Sequence, residues 1–343
     1  MTFISRCFSL LLFVLALIGA PSCSSPKPTL YLFAWSDFFK PDLVAEFENK
    51  FNCHVVIDTY DSNESMYAKL KLSSINYDII FPSNYYVEIL QKQKMIQPID
   101  PQKISNIKNY DPKYFKQTSP LSALPFIVSF SGLAYRKDKV TIEDPSWGVF
   151  GRSDLKGRMT MLNDSREALG AALRYLGYSI NTRSPVEVSK AGNLLLSWRK
   201  NLAKFESEQY KNGLASSEFL VVQGYSIDIM HVINENPDVS FVYPKEGAIM
   251  SIDYMAIPTN AHNVELAHEF INFMLETPIA VQNISFTNSL IPLLPVYEML
   301  DEKKRNDPIL FPSQEALEKM ELIEDLQEDI QLYYKAWDKV KSG

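Results

Sequence analysis

The chain alternates short apolar runs with segments whose apolar residues recur every three or four positions. Leu30 to Trp35, His54 to Thr59 and Asp78 to Phe81 are the first three runs; the first reads as a buried strand, and Ile79 to Phe81 has the length and composition of a parallel strand covered on both faces. Between the first two, Leu43, Val44, Phe47 and Phe51 form one face of a helix that starts near Pro41, where proline is favourable. Asp61-Ser62-Asn63-Glu64 has capping-box spacing before Met66 to Leu70, which predicts a second helix. Strands alternating with helices imply a parallel sheet with right-handed crossovers. A helix is predicted from Tyr86 to Lys94, followed by a Pro-, Asn- and Lys-rich surface excursion up to Pro120.

Leu124 to Tyr135 is too long and too β-rich for one ordinary strand, and a strand crossing between two lobes accounts for its length. A second α/β set follows. Met159 to Leu162 and Leu220 to Val222 read as strands, and Ser165 to Leu176 and Val186 to Leu202 as helices. Ile249 to Pro258 reads as the return crossing. Asn263 is placed as the cap of a helix striped by Leu266, Phe270, Phe273 and Met274 and stopped at Pro278, and two charged helical stretches fill Pro312 to Gly343. The predicted architecture is α/β with two lobes, each a mainly parallel sheet flanked by helices. The first lobe takes residues 30–129 and 254–297, the second 130–253 and 298–343, with hinge crossings near Val128–Gly132 and Ile252–Ile257.

The N-terminus is of another kind. Arg6, the apolar run Phe8 to Ile18 and small residues up to Ser22 make residues 1–22 an export signal, because the run is well short of the ~20 apolar residues of a membrane span. Ala20-Pro21-Ser22-Cys23 resembles a lipobox, which makes Cys23 a lipidation site and residues 23–29 a tether to the bilayer. A lipobox usually has leucine where Ala20 stands, so plain cleavage after Ser22 remains the alternative. Processing removes Cys7 and lipidation would use Cys23, which leaves Cys53 without a partner and the chain without a disulfide framework. A formal charge of −7 over 343 residues argues against nucleic acid or anionic lipid as a partner and favours a cationic ligand.

Chemistry concentrates where the third apolar run stops at Pro82 and opens into Ser83, Asn84, Tyr85 and Tyr86. Ligands of open α/β sheets sit beyond the carboxyl ends of such strands, which makes Ser83 and Tyr85 candidate contacts; the alternative is that Ser83 caps a helix and the tyrosines pack on a rim. Enzyme signatures are weak. Gly224-Tyr225-Ser226-Ile227-Asp228 lacks the second glycine of a nucleophile elbow, and His268-Glu269 begins a zinc-protease pattern in which Asn272 stands at the second histidine position. The four histidines are scattered, and no P-loop, dinucleotide fingerprint or paired-cysteine metal site occurs. Catalysis, as a hydrolase, is the minor reading, and neither a cofactor nor a metal is expected. A surface-exposed adhesion or interaction protein is a further competing class.

A chain that leaves one lobe, builds a second and returns describes a hinged binding protein with its ligand between the lobes. Trp35-Ser36-Asp37-Phe38, the run from Tyr60 to Lys71 and Pro82-Ser83-Asn84-Tyr85-Tyr86-Val87 closely resemble the periplasmic spermidine/putrescine-binding proteins of ABC importers. So do Asp164-Ser165-Arg166-Glu167, Leu176-Gly177-Tyr178-Ser179, Pro244-Lys245-Glu246-Gly247 and the run from Asp253 to Pro258. The resemblance implies the two-lobed periplasmic-binding-protein fold, a polyamine ligand, permease subunits in the inner membrane as partners, and a monomer in the periplasm. A polyamine needs carboxylates at intervals with aromatic walls between them. On the resemblance, Trp35, Ser36, Asp37 and Phe38 form one wall, Ser83 and Tyr85 another, and Asp164, Glu167 and Asp253 hold ammonium groups. Each has a structural alternative: a capping box for Asp164 and Glu167, a hinge turn for Asp253, the core for Trp35. Val222 and Ser251 stand where the family has tryptophans, Ser289 where it has a tyrosine, and Phe38 lacks the usual hydroxyl. Tyr225 or Phe286 are the available substitutes, and a different cationic or polar solute is the alternative ligand.

Overall fold

The computed structural model describes residues 26–60, 62–72, 75–115 and 119–343. The predicted signal and Cys23 lie outside the described residues. In chain order the strands are β1 (Thr29–Trp35), β2 (His54–Tyr60), β3 (Ile79–Ile80), β4 (Ile96–Gln97), β5 (Ala123–Arg136), β6 (Met159–Met161), β7 (Leu202–Phe205), β8 (Val221–Tyr225), β9 (Val239–Val242), β10 (Ile249–Pro258) and β11 (Glu321–Leu322). The helices that matter for the site are α1 (Pro41–Phe51), α2 (Asn63–Leu72), α3 (Asn84–Lys92), α4 (Ser165–Tyr175), α5 (Pro185–Arg199), α6 (Tyr210–Ala215), α7 (Ser226–Glu235), α8 (Val264–Met274), α9 (Thr277–Thr287) and α10 (Ile330–Ser342).

The strand path runs β2-β1-β3-β10-β5-β8-β6-β7. β1 pairs in parallel with β2 and β3 on one side, and β6 in parallel with β7 and β8 on the other. These two parallel sets mark a fold of the two-lobed type. Between them β10 and β5 run antiparallel and join both, since β10 reaches β3 through Ala256 and β5 reaches β8 from Ser131 to Tyr135. This explains the length of β5: its first half serves one lobe and its second half the other, and nearly every residue is buried. Gly132 lies in this crossing, where a Cβ would come within 2.6 Å of the Phe241 ring; the backbone approach there requires glycine.

Alternation along β1 sends Leu30, Leu32 and Ala34 into one apolar cluster with Phe47, Phe81, Phe126 and Phe270, and Phe33 into another with Tyr60, Tyr77 and Ile80. The sheet is covered on both faces along β1 and β3, while the edge strand β2 keeps most of its residues exposed. The second lobe packs around Trp147, Leu169, Leu195 and Trp198, with Tyr333 and Val340 of α10 closing it. Leu300, Leu310 and Met320 join the cluster of Phe47 and Phe81.

Three elements differ from the sequence reading. Lys200 follows α5, and Leu202 already belongs to β7, an edge strand whose two central residues are exposed and therefore carry no apolar signal. Asn263 occupies the cap position of α8 without capping it. Its amide donates to Thr29 O at 2.9 Å, while Asp78, fully buried, accepts the N–H groups of His262 and Asn263 and ties the helix start to β1. Within the charged C-terminal stretch, β11 interrupts the predicted helices and pairs in parallel with the start of β10.

A cleft lined by buried carboxylates and tyrosines

The strand ends place the first wall. Trp35 and Tyr60 are the last residues of β1 and β2, paired in register, and their rings lie 4.6 Å apart. The Trp35 indole N–H donates to Phe81 O at 3.1 Å, and the Tyr60 hydroxyl donates to the same carbonyl at 2.5 Å. After this pair the chain turns through Ser36 and Asp37, both exposed, with Asp37 in the left-handed region at φ 58°. Ser36 borders a cavity of about 460 Å³ that reaches Lys69 of α2 and Glu208 of the second lobe. Phe38 does not face this space. It is buried among Phe39, Phe81 and Phe126, and its carbonyl accepts from the Asn283 amide, so the hydroxyl missing from this position has no bearing on the core that Phe38 fills.

Asp253 is the centre of this half. The register of β5 and β10 skips Phe126 between the pairs Asp253–Ile127 and Tyr254–Pro125, and such a bulge re-aims the side chain beside it. The Asp253 carboxylate accepts from the Ser83 hydroxyl at 2.7 Å. It is buried, and desolvation pushes its pKa up to about 7 against the pull of hydrogen bonding from Ser83 and Trp35. Ser83 is also the residue before α3, but its side chain makes no capping hydrogen bond. Asn63, buried at the start of α2, holds the loop: its amide donates to Ser83 Oγ at 3.0 Å and to Tyr85 OH at 3.2 Å, and its carbonyl accepts the Ser83 N–H at 3.1 Å.

The second lobe answers with α4. Asp164 caps this helix, accepting from the N–H groups of Arg166 and Glu167 at 2.7 and 3.0 Å. Glu167 does not reach back as a capping box would require; it accepts from the Ser131 hydroxyl of β5 at 2.6 Å. Burial, reinforced by the Asp164 charge, pushes Glu167 up to about 8. Arg166, between them, is directed away to Glu324 O, Ile180 O and Asn181 Oδ1. Tyr225, at the end of β8, sits in the field of Glu167 and Asp164 and also of Tyr85 across the cleft, so it supplies an aromatic surface here. Glu64 of α2 keeps exposed surface, yet crowding by protein atoms and the facing Asp164 raise its pKa while hydrogen bonding from Tyr86 opposes the shift. The lobes thus meet with Asp253 and Ser83 on one side, Glu167 and Asp164 on the other, and Trp35, Tyr60, Tyr85 and Tyr225 around them.

The positions read as lost aromatic walls have other roles. Val222 is a core residue of the second lobe, packed with Tyr210 and Phe219. Ser251 meets Ser129 across the two crossing strands, with 2.8 Å between hydroxyls, and Ser289 is buried against Thr287 at 2.6 Å. Phe286 is half-buried on α9. Tyr60, Asn63 and Glu64 were not singled out from the sequence. Tyr60 could have been, since it ends a strand next to the one that ends in Trp35.

Comparison with known proteins decides the family. Residues 42–312 match the model of the family described as bacterial extracellular solute-binding protein. The chain belongs to that family. The solute-binding protein is 33% identical over 338 residues, 96% of each chain, to the spermidine/putrescine-binding periplasmic protein of Escherichia coli. It is 31% identical to the putrescine-binding periplasmic protein SpuD of Pseudomonas aeruginosa over 93% of this chain and 94% of that one. Among solved structures, the PotD lipoprotein of Treponema pallidum superposes with a TM-score of 0.82 at 30% identity, covering 91% of this chain and 99% of the other.

Proposed function

We propose that the protein is the substrate-binding component of an ABC importer, capturing a polyamine such as spermidine or putrescine between its lobes and delivering it to the membrane permease. One observation carries the reading: Asp253 and Glu167 are buried carboxylates without an ion-pair partner among the described residues, set among aromatic rings. Burying a carboxylate unpaired is costly, and an ammonium group removes that cost in each case. Trp35, Tyr60, Tyr85 and Tyr225 then cover methylene groups and attract the cation, at about 0.5–2 kcal/mol per good contact. The relatives named for spermidine and putrescine support the same ligand class. The protein acts as a monomer in the periplasm and by binding alone, without a cofactor. Mass spectrometry of amines released from protein purified under native conditions tests this directly: spermidine or putrescine is expected at one per chain. The hydroxyls of Ser251 and Ser129 favour a more polar cation as the second reading, and the mass of the released compound separates the two.

The hinge is taken at the crossings near Val128–Gly132 of β5 and Ile252–Ile257 of β10, two strands that pair with each other while β5 runs on to pair with β8. A ligand that bridges both lobes favours the closed state by its differential affinity. X-ray scattering at about pH 8 should show a smaller radius of gyration with saturating spermidine than without; superimposable curves would exclude hinge closure.

Anchoring rests on Cys23 and on the Treponema relative, which is named a lipoprotein. Cys23→Ala should release the protein from the membrane fraction into the soluble periplasm, as followed by fractionation. Full retention of the variant on the membrane would rule out the lipid tether.

A further inference from the structure

Asn63 makes three hydrogen bonds to the binding loop, and their polarity is set by one of them. The Ser83 backbone N–H can only donate, so the Asn63 atom facing it at 3.1 Å is the carbonyl oxygen. The amide nitrogen is therefore the atom at 3.0 Å from Ser83 Oγ and 3.2 Å from Tyr85 OH. Because Ser83 Oγ receives a proton from Asn63, its own proton goes to another acceptor, and Asp253 Oδ1 lies at 2.7 Å. Asn63, Ser83 and Asp253 are buried, so water does not substitute for the partners of the Ser83 hydroxyl.

We infer that Asn63 is a positioning residue for amine binding, committing the Ser83 hydroxyl proton to Asp253 and holding Tyr85 at the cleft. This rests on the amine-binding reading. With the proton so placed, one carboxylate oxygen of Asp253 is occupied and oriented and the other is left for the ammonium group. Turned the other way, the Ser83 oxygen would present a lone pair to the carboxylate and favour its protonated form. The remaining groups facing Asp253 are the Trp35 indole of β1, whose N–H donates to Phe81 O at 3.1 Å and also acts on the Asp253 carboxylate, and the Tyr60 phenol of β2, whose O–H donates to Phe81 O. The Trp35 N–H is shared with the Phe81 carbonyl, so it does not replace the Ser83 hydroxyl as a donor to Asp253.

Putrescine and spermidine titrated by calorimetry into the full chain and into Asn63→Ala, Ser83→Ala and the double variant, each with folding checked by thermal melting, test this. Each single change should weaken binding about tenfold, and the double change should also cost about tenfold because both remove one hydrogen bond to a charged group. The acid limb of affinity against pH should move upward equally in both single variants, a shift that a merely structural role would not produce. Additive losses of about a hundredfold, or an Asn63→Ala variant that binds like the parent, would overturn the inference. Asn63→Asp, which keeps the shape, separates positioning from charge. An added carboxylate by itself predicts tighter amine binding, whereas loss of the amide donor to Ser83 and Tyr85 predicts weaker binding; tighter binding would likewise overturn it. A parent protein that binds neither amine refutes the functional reading instead.

Discussion

Asp253→Asn should weaken spermidine and putrescine binding by two to three orders of magnitude, more than any change to an aromatic wall. The carboxylate is buried, has no ion-pair partner among the described residues, and is aimed by the bulge opposite Phe126 and by the Ser83 hydroxyl. An ammonium group brought to it forms a buried pair, and removing one member of such a pair costs about 3–5 kcal/mol because the other is left desolvated and uncompensated. The asparagine keeps the shape and can still accept from Ser83, so the loss reports the charge. Trp35→Ala should cost about twofold to thirtyfold, since it removes one ring face, worth about 0.5–2 kcal/mol, and leaves every charge its partner. Calorimetric titration of both variants ranks the two effects. If Asp253→Asn binds like the parent while Trp35→Ala does not, the site is aromatic and not charge-paired.

Amine affinity should rise by up to about a thousandfold between about pH 6 and pH 8.5. Asp253 is pushed up to about 7 and Glu167 to about 8, chiefly by desolvation. Both are thus mostly protonated at the lower pH, and the cation must displace the protons before it can pair. At the upper pH both carboxylates are charged, while amines of the ligand class, with pKa values near ~10, keep their protons. The sign for stability is the reverse. A carboxyl group whose folded pKa is raised holds its proton in the folded state after the unfolded chain has lost it, so the folded protein loses stability as pH rises from about 4 to about 8. The increase in melting temperature caused by spermidine should therefore be larger at about pH 8 than at about pH 6. An increase that does not depend on pH across this interval would remove the coupling between carboxylate ionisation and ligand.

The lobes and the crossing strands were legible because they rest on apolar runs, the signal that burial on both faces writes most strongly into a sequence. β5 is the best case, since a strand serving two lobes has to be long and apolar throughout. β7 was not, because its exposed centre makes it continuous with the polar end of α5. β11 was hidden in the same way among charged residues, and only its pairing with β10 reveals it. At the candidate site, Trp35, Ser83 and Asp253 are legible from strand ends and a resemblance, and the fold brings both Trp35 and Ser83 to the Asp253 carboxylate. Phe38 was read as a wall and is packed in the core, since neighbouring residues of a turn face opposite sides and sequence alone does not say which. Asn63 reads in sequence as part of a capping motif. Its function is visible only once Ser83 and Tyr85, some twenty residues on, are placed against it.

The account stands on two buried carboxylates waiting for a cation, and the protons they give up are its most direct observable. Calorimetry of spermidine binding to the full chain at about pH 6.5, repeated in buffers of different ionisation enthalpy, counts those protons. Release of between about one and two protons per spermidine is predicted from carboxyl groups near 7 and 8. Binding with no proton released, or no binding of any amine while an uncharged solute binds, would contradict it.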